Sequence, residues 1–301
     1  MTTTFDAYAH LLGLQSNSAR IAIFSPVGMI KQGILSGPTC AYARTLPADF
    51  RLTVRTDDAD GTAVHEVQVL DPNFWEPAHP FLYSLRERES GGATSVELTL
   101  GLRVLSIREN KLLVNGEPTF IRGFRTGTLD EESLRRWHEW KITLLLPETE
   151  FDHDSIAQTD RLGPFVAGRL GEEKEGALAQ MLPLRTSAPS VGIWMGEQEW
   201  SSDDWEELKR FDRSTLLARR VEVDQLPVGT EAHLLVVTGD QASLVTAAKS
   251  EKIGTPWIAD MVGSFGVSGF DADSYHSLAN RLDGIFEDLP GCLGWVVGGP
   301  R

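Results

Sequence analysis

The chain has 301 residues, 41% of them hydrophobic and 24% charged, and a formal net charge of −15 at pH 7. That length carries two domains, each able to bury a core, while the acidic balance excludes a phosphate-backbone partner, which needs clustered Lys and Arg. The two cysteines, Cys40 and Cys292, offer neither a disulfide framework nor a zinc spacing, and no apolar run approaches the ~20 residues that cross a bilayer.

The N-terminal MTTTFDAYAHLLGL has no basic segment ahead of a sustained apolar core, so no secretory signal is read there. The expectation is a soluble, cytoplasmic protein with no cofactor, no metal, no nucleic-acid partner and no membrane partner. Basic residues are scattered, and Arg135-Arg136 and Arg219-Arg220 are the densest pairs.

Up to about Leu46 the pattern stays open between helical and irregular structure. Beyond it, short segments alternate apolar and polar residues, as in 51–55, 65–69, 96–100 and 111–114. Period-two apolarity broken by Gly, Pro and Asp predicts an antiparallel sandwich. Asp60-Gly61 and Asn115-Gly116 are hairpin-turn candidates.

After Gly123 the texture changes. Strand candidates at 120–124, 142–146, 164–167, 191–195, 221–223, 233–238, 256–259 and 292–297 alternate with helix-like runs at 130–140, 155–162, 172–181, 203–211, 242–249 and 274–287. Near-continuous apolar strands between amphipathic helices predict a parallel sheet covered by helices, and eight such strands predict a barrel. The segment holds about 180 residues, below the ~200 of the smaller barrels, so the helices are short or one is missing.

Residues 71–123 carry a more specific pattern. Trp75, Pro77, Pro80, Leu82, Tyr83 and Leu85 spell W-x-P-x-x-P-x-L-Y-x-L, followed by Asn115-Gly116 and Arg122-Gly123. This combination resembles the junction in glycoside hydrolase family 2, of β-galactosidase and β-glucuronidase type, where an immunoglobulin-like β-sandwich hands over to a (β/α)8 TIM barrel. Thr159-Asp160-Arg161-Leu162-Gly163-Pro164-Phe165-Val166 is similar to the family's D-x-x-G-φ-x-V segment before strand three. Gly291-Cys292-Leu293-Gly294-Trp295 is similar to its last strand. The resemblance covers about residues 65–301 and implies a sandwich over 1–118 and a compact barrel over 119–301. The family's N-terminal jelly roll has no counterpart, so a second copy or a partner chain is a candidate supplier of substrate contacts.

The resemblance also directs attention to carboxylates. Retaining glycosidases set two carboxyl groups about 5–5.5 Å apart, one as nucleophile and one as acid/base, and a barrel holds them at the C-terminal ends of its strands. Aligned without gaps from Pro189-Ser190, Glu199 falls at the acid/base position and Gln198 replaces the sugar-binding Asn before it. A one-residue gap would instead put Gln198, which cannot give up and recover a proton, at the catalytic place. Asp260 stands where the family has its nucleophilic Glu, one methylene short. Trp295 matches the tryptophan that stacks on the sugar, with a plain core role as the other reading.

Glu148 and Glu197 follow strand candidates two and four and are expected to line the mouth. Glu148, Asp224 and Asp240 form a ring of strand-end acids, but their spacing demands no cation. The arginine and histidine that frame the nucleophile in the family are missing after strand two, and His153 is a loop residue. Two readings therefore stand: a β-glycosidase acting through Glu199 and Asp260, or an inactive barrel that binds carbohydrate or a protein without turnover.

Overall fold

The computed structural model describes residues 7–15, 17–28, 30, 33–57, 62–88, 94–148, 152–181, 188–197, 200–227, 230–250, 252–261 and 271–298. The chain divides into two compact units, one of residues 1–103 with 181–189 and the other of 104–180 with 190–301.

The first unit is antiparallel. Strands β1 (Tyr8–Gln15), β2 (Ser18–Pro26), β5 (Thr53–Asp57) and β6 (Thr62–Leu70) form a sheet in the order β1-β2-β6-β5. Strands β3 (Gly33–Thr39), β4 (Ala48–Arg51), β7 (Leu82–Arg88) and β8 (Thr94–Leu100) form another in the order β4-β3-β7-β8. Alternate residues of both sheets, among them Ala19, Ile21, Ile23, Val67 and Val69 against Leu35, Tyr83, Leu85, Leu98 and Leu100, join one buried cluster.

The opening residues, undecided from sequence, are therefore strands. Their period is hidden because the β1–β2 register shifts between Leu11 and Gly13, and an inserted residue reverses the alternation. The W-x-P string is core: Trp75 and Tyr83 are fully buried. The Trp75 N–H donates to the Leu102 carbonyl at 2.7 Å, and the Tyr83 hydroxyl accepts from the Asn73 N–H at 2.9 Å. The Asp60-Gly61 turn lies outside the described residues.

In the second unit a small sheet of β9 (Leu105–Arg108), β10 (Lys111–Val114) and β11 (Glu117–Pro118) comes first. Asn115 and Gly116, at φ 53° and 89°, turn β10 into β11, as the sequence predicts for a hairpin needing two positive φ angles. Glu109 and Asn110, at φ 50° and 58°, do the same between β9 and β10. A Glu in that conformation gives no sequence signal.

The barrel strands are β12 (Ile121–Thr126), β13 (Leu144–Pro147), β14 (Phe165–Arg169), β15 (Val191–Gly196), β16 (Leu216–Glu222), β17 (Leu234–Gly239), β18 (Trp257–Met261) and β19 (Cys292–Val297). All pair in parallel, and β12 closes on β19. Every residue of β13, β15, β18 and β19 is buried, as expected of strands covered on both faces. Between strands lie α1 (Glu131–Glu139), α2 (His153–Leu162), α3 (Lys174–Met181), α4 (Ser202–Phe211), α5 (Gln241–Lys249) and α6 (Ala272–Phe286). Among the described residues no helix separates β16 from β17. Strand five starts at Leu216, ahead of the expected 221–223, because Arg219 and Arg220 lie within β16 and split its apolar residues.

Candidate active-site mouth of the barrel

Asp260 lies near the C-terminal end of β18 and has no exposed surface. Arg125, near the end of β12, grips it with two parallel bonds. Its Nε donates to Oδ1 at 2.9 Å, and its Nη2 pairs with Oδ2. Arg220 of β16 brings Nη2 to 3.2 Å from the same Oδ2, and the Thr238 hydroxyl of β17 donates to it at 3.3 Å. A carboxylate so buried is tolerable only because it is paired and hydrogen-bonded.

The network continues outward. Arg220 Nη1 reaches Glu197 Oε1 at 3.1 Å, just past β15, and Arg169 Nη2, at the end of β14, reaches the same oxygen at 3.2 Å. Arg125, Asp260, Arg220, Glu197 and Arg169 thus form one chain of ion pairs across the strand ends. Its inner end is buried, whereas the Glu197 side chain is 53% exposed. Glu148 follows β13, is exposed, and its N–H donates to the Thr126 carbonyl at 2.9 Å. Gln198 and Glu199, the two acid/base candidates, lie outside the described residues.

Trp295 sits elsewhere. It is fully buried, and its Nε1 donates to Asp283 Oδ1 of α6 at 2.8 Å. The other oxygen of Asp283 accepts from Arg122 Nε and Nη2 at 2.9 and 2.7 Å. This cluster ties β12, β19 and α6 together, and the indole offers no exposed face for a sugar.

The other strand-end acids have local duties. Asp130, Asp152, Asp240 and Asp271 are N-caps of α1, α2, α5 and α6, each accepting from the N–H of a Ser three residues on. Those bonds hold their carboxyls below the usual range. For Asp240 the Ser243 hydroxyl and then its N–H are the main causes. Asp160, from the D-x-x-G-φ-x-V segment, is buried and accepts from the Ser190 N–H at 2.8 Å and hydroxyl at 2.5 Å, joining α2 to the entry of β15. Among the described residues no group of three or more His, Cys, Asp or Glu is placed to hold a metal ion, and no helix is long and apolar enough to cross a membrane.

The structure thus brings Asp260 and Glu197 into one network, leaves Glu148 beside it, and sends Trp295 to the helix layer. Sequence reasoning missed the arginines of that network. Their signal was charge inside apolar strands, in Arg122-Gly123-Phe124-Arg125 and Leu217-Ala218-Arg219-Arg220.

No family profile matches the sequence, and no curated protein matches it. Solved structures do. The chain is similar to Bifidobacterium dentium β-glucuronidase complexed with coumarin-3-O-glucuronide, at 14% identity and TM-score 0.67, covering 97% of this chain and 59% of that one. It is similar to a glycosyl hydrolase family 2 member from Bacteroides cellulosilyticus, at 15% and 0.64, covering 98% and 43%. Dictyoglomus thermophilum β-D-glucuronidase gives 14% and 0.63, covering 97% and 61%. The chain therefore spans between 43% and 61% of these neighbours' lengths. At such identity the likeness establishes the fold: a closed eight-stranded parallel barrel with antiparallel sheets, shared with glycoside hydrolase family 2 proteins.

Proposed function

We propose that this chain is a glycoside hydrolase family 2-like protein that binds a β-linked glycoside at its barrel mouth and does not hydrolyse it. In this reading the first unit is an immunoglobulin-like sandwich, the second a compact (β/α)8 TIM barrel, and the residue 118 region the handover. Gln198, Glu199, Glu148 and Glu197 line the sugar site, and Trp295 serves the core.

The observation that carries the reading is the state of Asp260. A nucleophile needs a free oxygen in near contact with the anomeric carbon, and a retreat of about 1 Å costs a hundredfold or more. Asp260 is a methylene short of Glu, has no exposed surface, and has both oxygens taken by guanidinium groups. An ion pair with two arginines also withdraws the electron density that attack would use.

The test is calorimetric titration with a panel of β-glycosides, glucuronides first because the B. dentium neighbour is complexed with one, alongside nitrophenol release from the matching nitrophenyl glycosides. Saturable binding without release supports the proposal. Release abolished by both Glu199→Gln and Asp260→Asn would establish a working two-carboxylate hydrolase instead. Neither binding nor release would turn the reading to a protein-interaction module.

A further inference from the structure

At the end of the barrel away from Asp260, where β16, β17 and β18 begin, the second unit forms a half-open cavity of about 530 Å³. One wall is the β9–β10 hairpin. The others include Arg213, Lys209 and His233, with Ile107, Leu216 and Pro256 as apolar lining. We infer that this cavity is a binding site for a small organic oxyanion, a phosphate or carboxylate head on an apolar body.

Three features of the walls support the assignment. Arg213 carries its charge on a fixed turn. Asp212, buried to 1% exposure, accepts from the Ser214 N–H at 2.8 Å, the Ser214 hydroxyl at 2.6 Å and the Thr215 hydroxyl at 3.1 Å. The turn is locked around Arg213, whose guanidinium has no acid partner among the described residues. Lys209 beside it is neutralised by Glu206 at 2.7 Å, and Glu109 stands on the exposed hairpin tip without pairing to Arg213.

His233 supplies a neutral donor. Its Nδ1 accepts from the Leu217 N–H at 2.9 Å, while its own N–H donates to the Leu217 carbonyl at 2.9 Å. An acceptor Nδ1 leaves the ring proton on Nε2, which has no hydrogen-bond partner among the described residues. An exposed guanidinium without an acid partner and an oriented N–H are what an oxyanion head needs, and the leucine, isoleucine and proline surfaces suit an uncharged body.

The experiment is isothermal titration of the full chain with phenyl phosphate, with phenol and inorganic phosphate as separate arms. One saturable site is expected for phenyl phosphate, with each fragment at least tenfold weaker. Arg213→Glu and, separately, Arg213→Gln should weaken phenyl phosphate at least tenfold with the thermal midpoint unchanged. Because Arg213 is exposed, both variants are expected to fold. No saturable binding, or equal binding by wild type and the two variants, would overturn the site. Inorganic phosphate binding as tightly as phenyl phosphate would overturn the apolar half of the assignment.

Discussion

Asp260 and Glu197 belong to one ion-pair chain, yet their environments assign them opposite energetic weights. Removing the charge of a buried, doubly paired carboxylate leaves Arg125 uncompensated and Arg220 with Glu197 alone, a change that typically costs about 3–5 kcal/mol. Asp260→Asn should therefore lower the urea-unfolding free energy by about that much. Glu197 is half exposed, so Glu197→Gln should cost under ~1 kcal/mol. Equal losses in the two variants would contradict the network.

His233 adds a pH dependence. Burial, then the nearby charge of Lys209, lowers its folded pKa below the usual 6.5. A lowered folded value means the unfolded chain binds the proton more readily, so this stability is complete above about pH 6.5 and is lost as pH falls through the folded value. Thermal midpoints should drop from pH 7.5 to 5, and His233→Asn, which keeps an acceptor for the Leu217 N–H, should flatten that drop. Parallel slopes would refute the assignment.

At the scale of elements, glycine positions separate what the barrel requires from what it tolerates. Gly294 in β19 sits at φ 150°, and a Cβ there would overlap the backbone of Ile121 in the neighbouring β12. Gly294→Ala should cost about 4 kcal/mol or more, in the class of the most damaging point changes. Gly284 lies in α6 with open space where a Cβ would stand, so Gly284→Ala should stabilise by about 0.5–1 kcal/mol. Chemical denaturation of both variants checks the pair, and a mild Gly294→Ala would contradict the β12–β19 closure.

The same scale shows what the sequence made legible. Seven barrel strands stand out as apolar runs because they are covered on both faces, and helices such as α1 and α4 by amphipathic pattern. Strand five was mostly hidden, since Arg219 and Arg220 interrupt its apolar run and only pairing with Asp260 and Glu197 makes Arg220 compatible with the barrel. The D-x-x-S pattern at 130, 152, 240 and 271 was readable as helix caps. Of these four, only Asp240 carries another expectation from sequence, as one of the strand-end acids. At the site, alignment placed Asp260 correctly on its strand, but no linear pattern could show that Arg125, 135 residues away, closes over it.

For the whole molecule, two compact units and an eight-stranded parallel barrel give a fold shared, over nearly the full chain, with glycoside hydrolase family 2 proteins. The chemistry is a separate matter, because a shared barrel does not carry its activity with it. The central claim is that Asp260 is a buried structural anion and not a nucleophile. It is tested most directly by intact-mass spectrometry after incubation with cyclophellitol aziridines of several sugar configurations, the class found covalently bound to one structural neighbour. The account predicts an unchanged mass for every probe. A single adduct, mapped to Asp260 and absent in Asp260→Asn, would contradict it and return the chain to the working hydrolases.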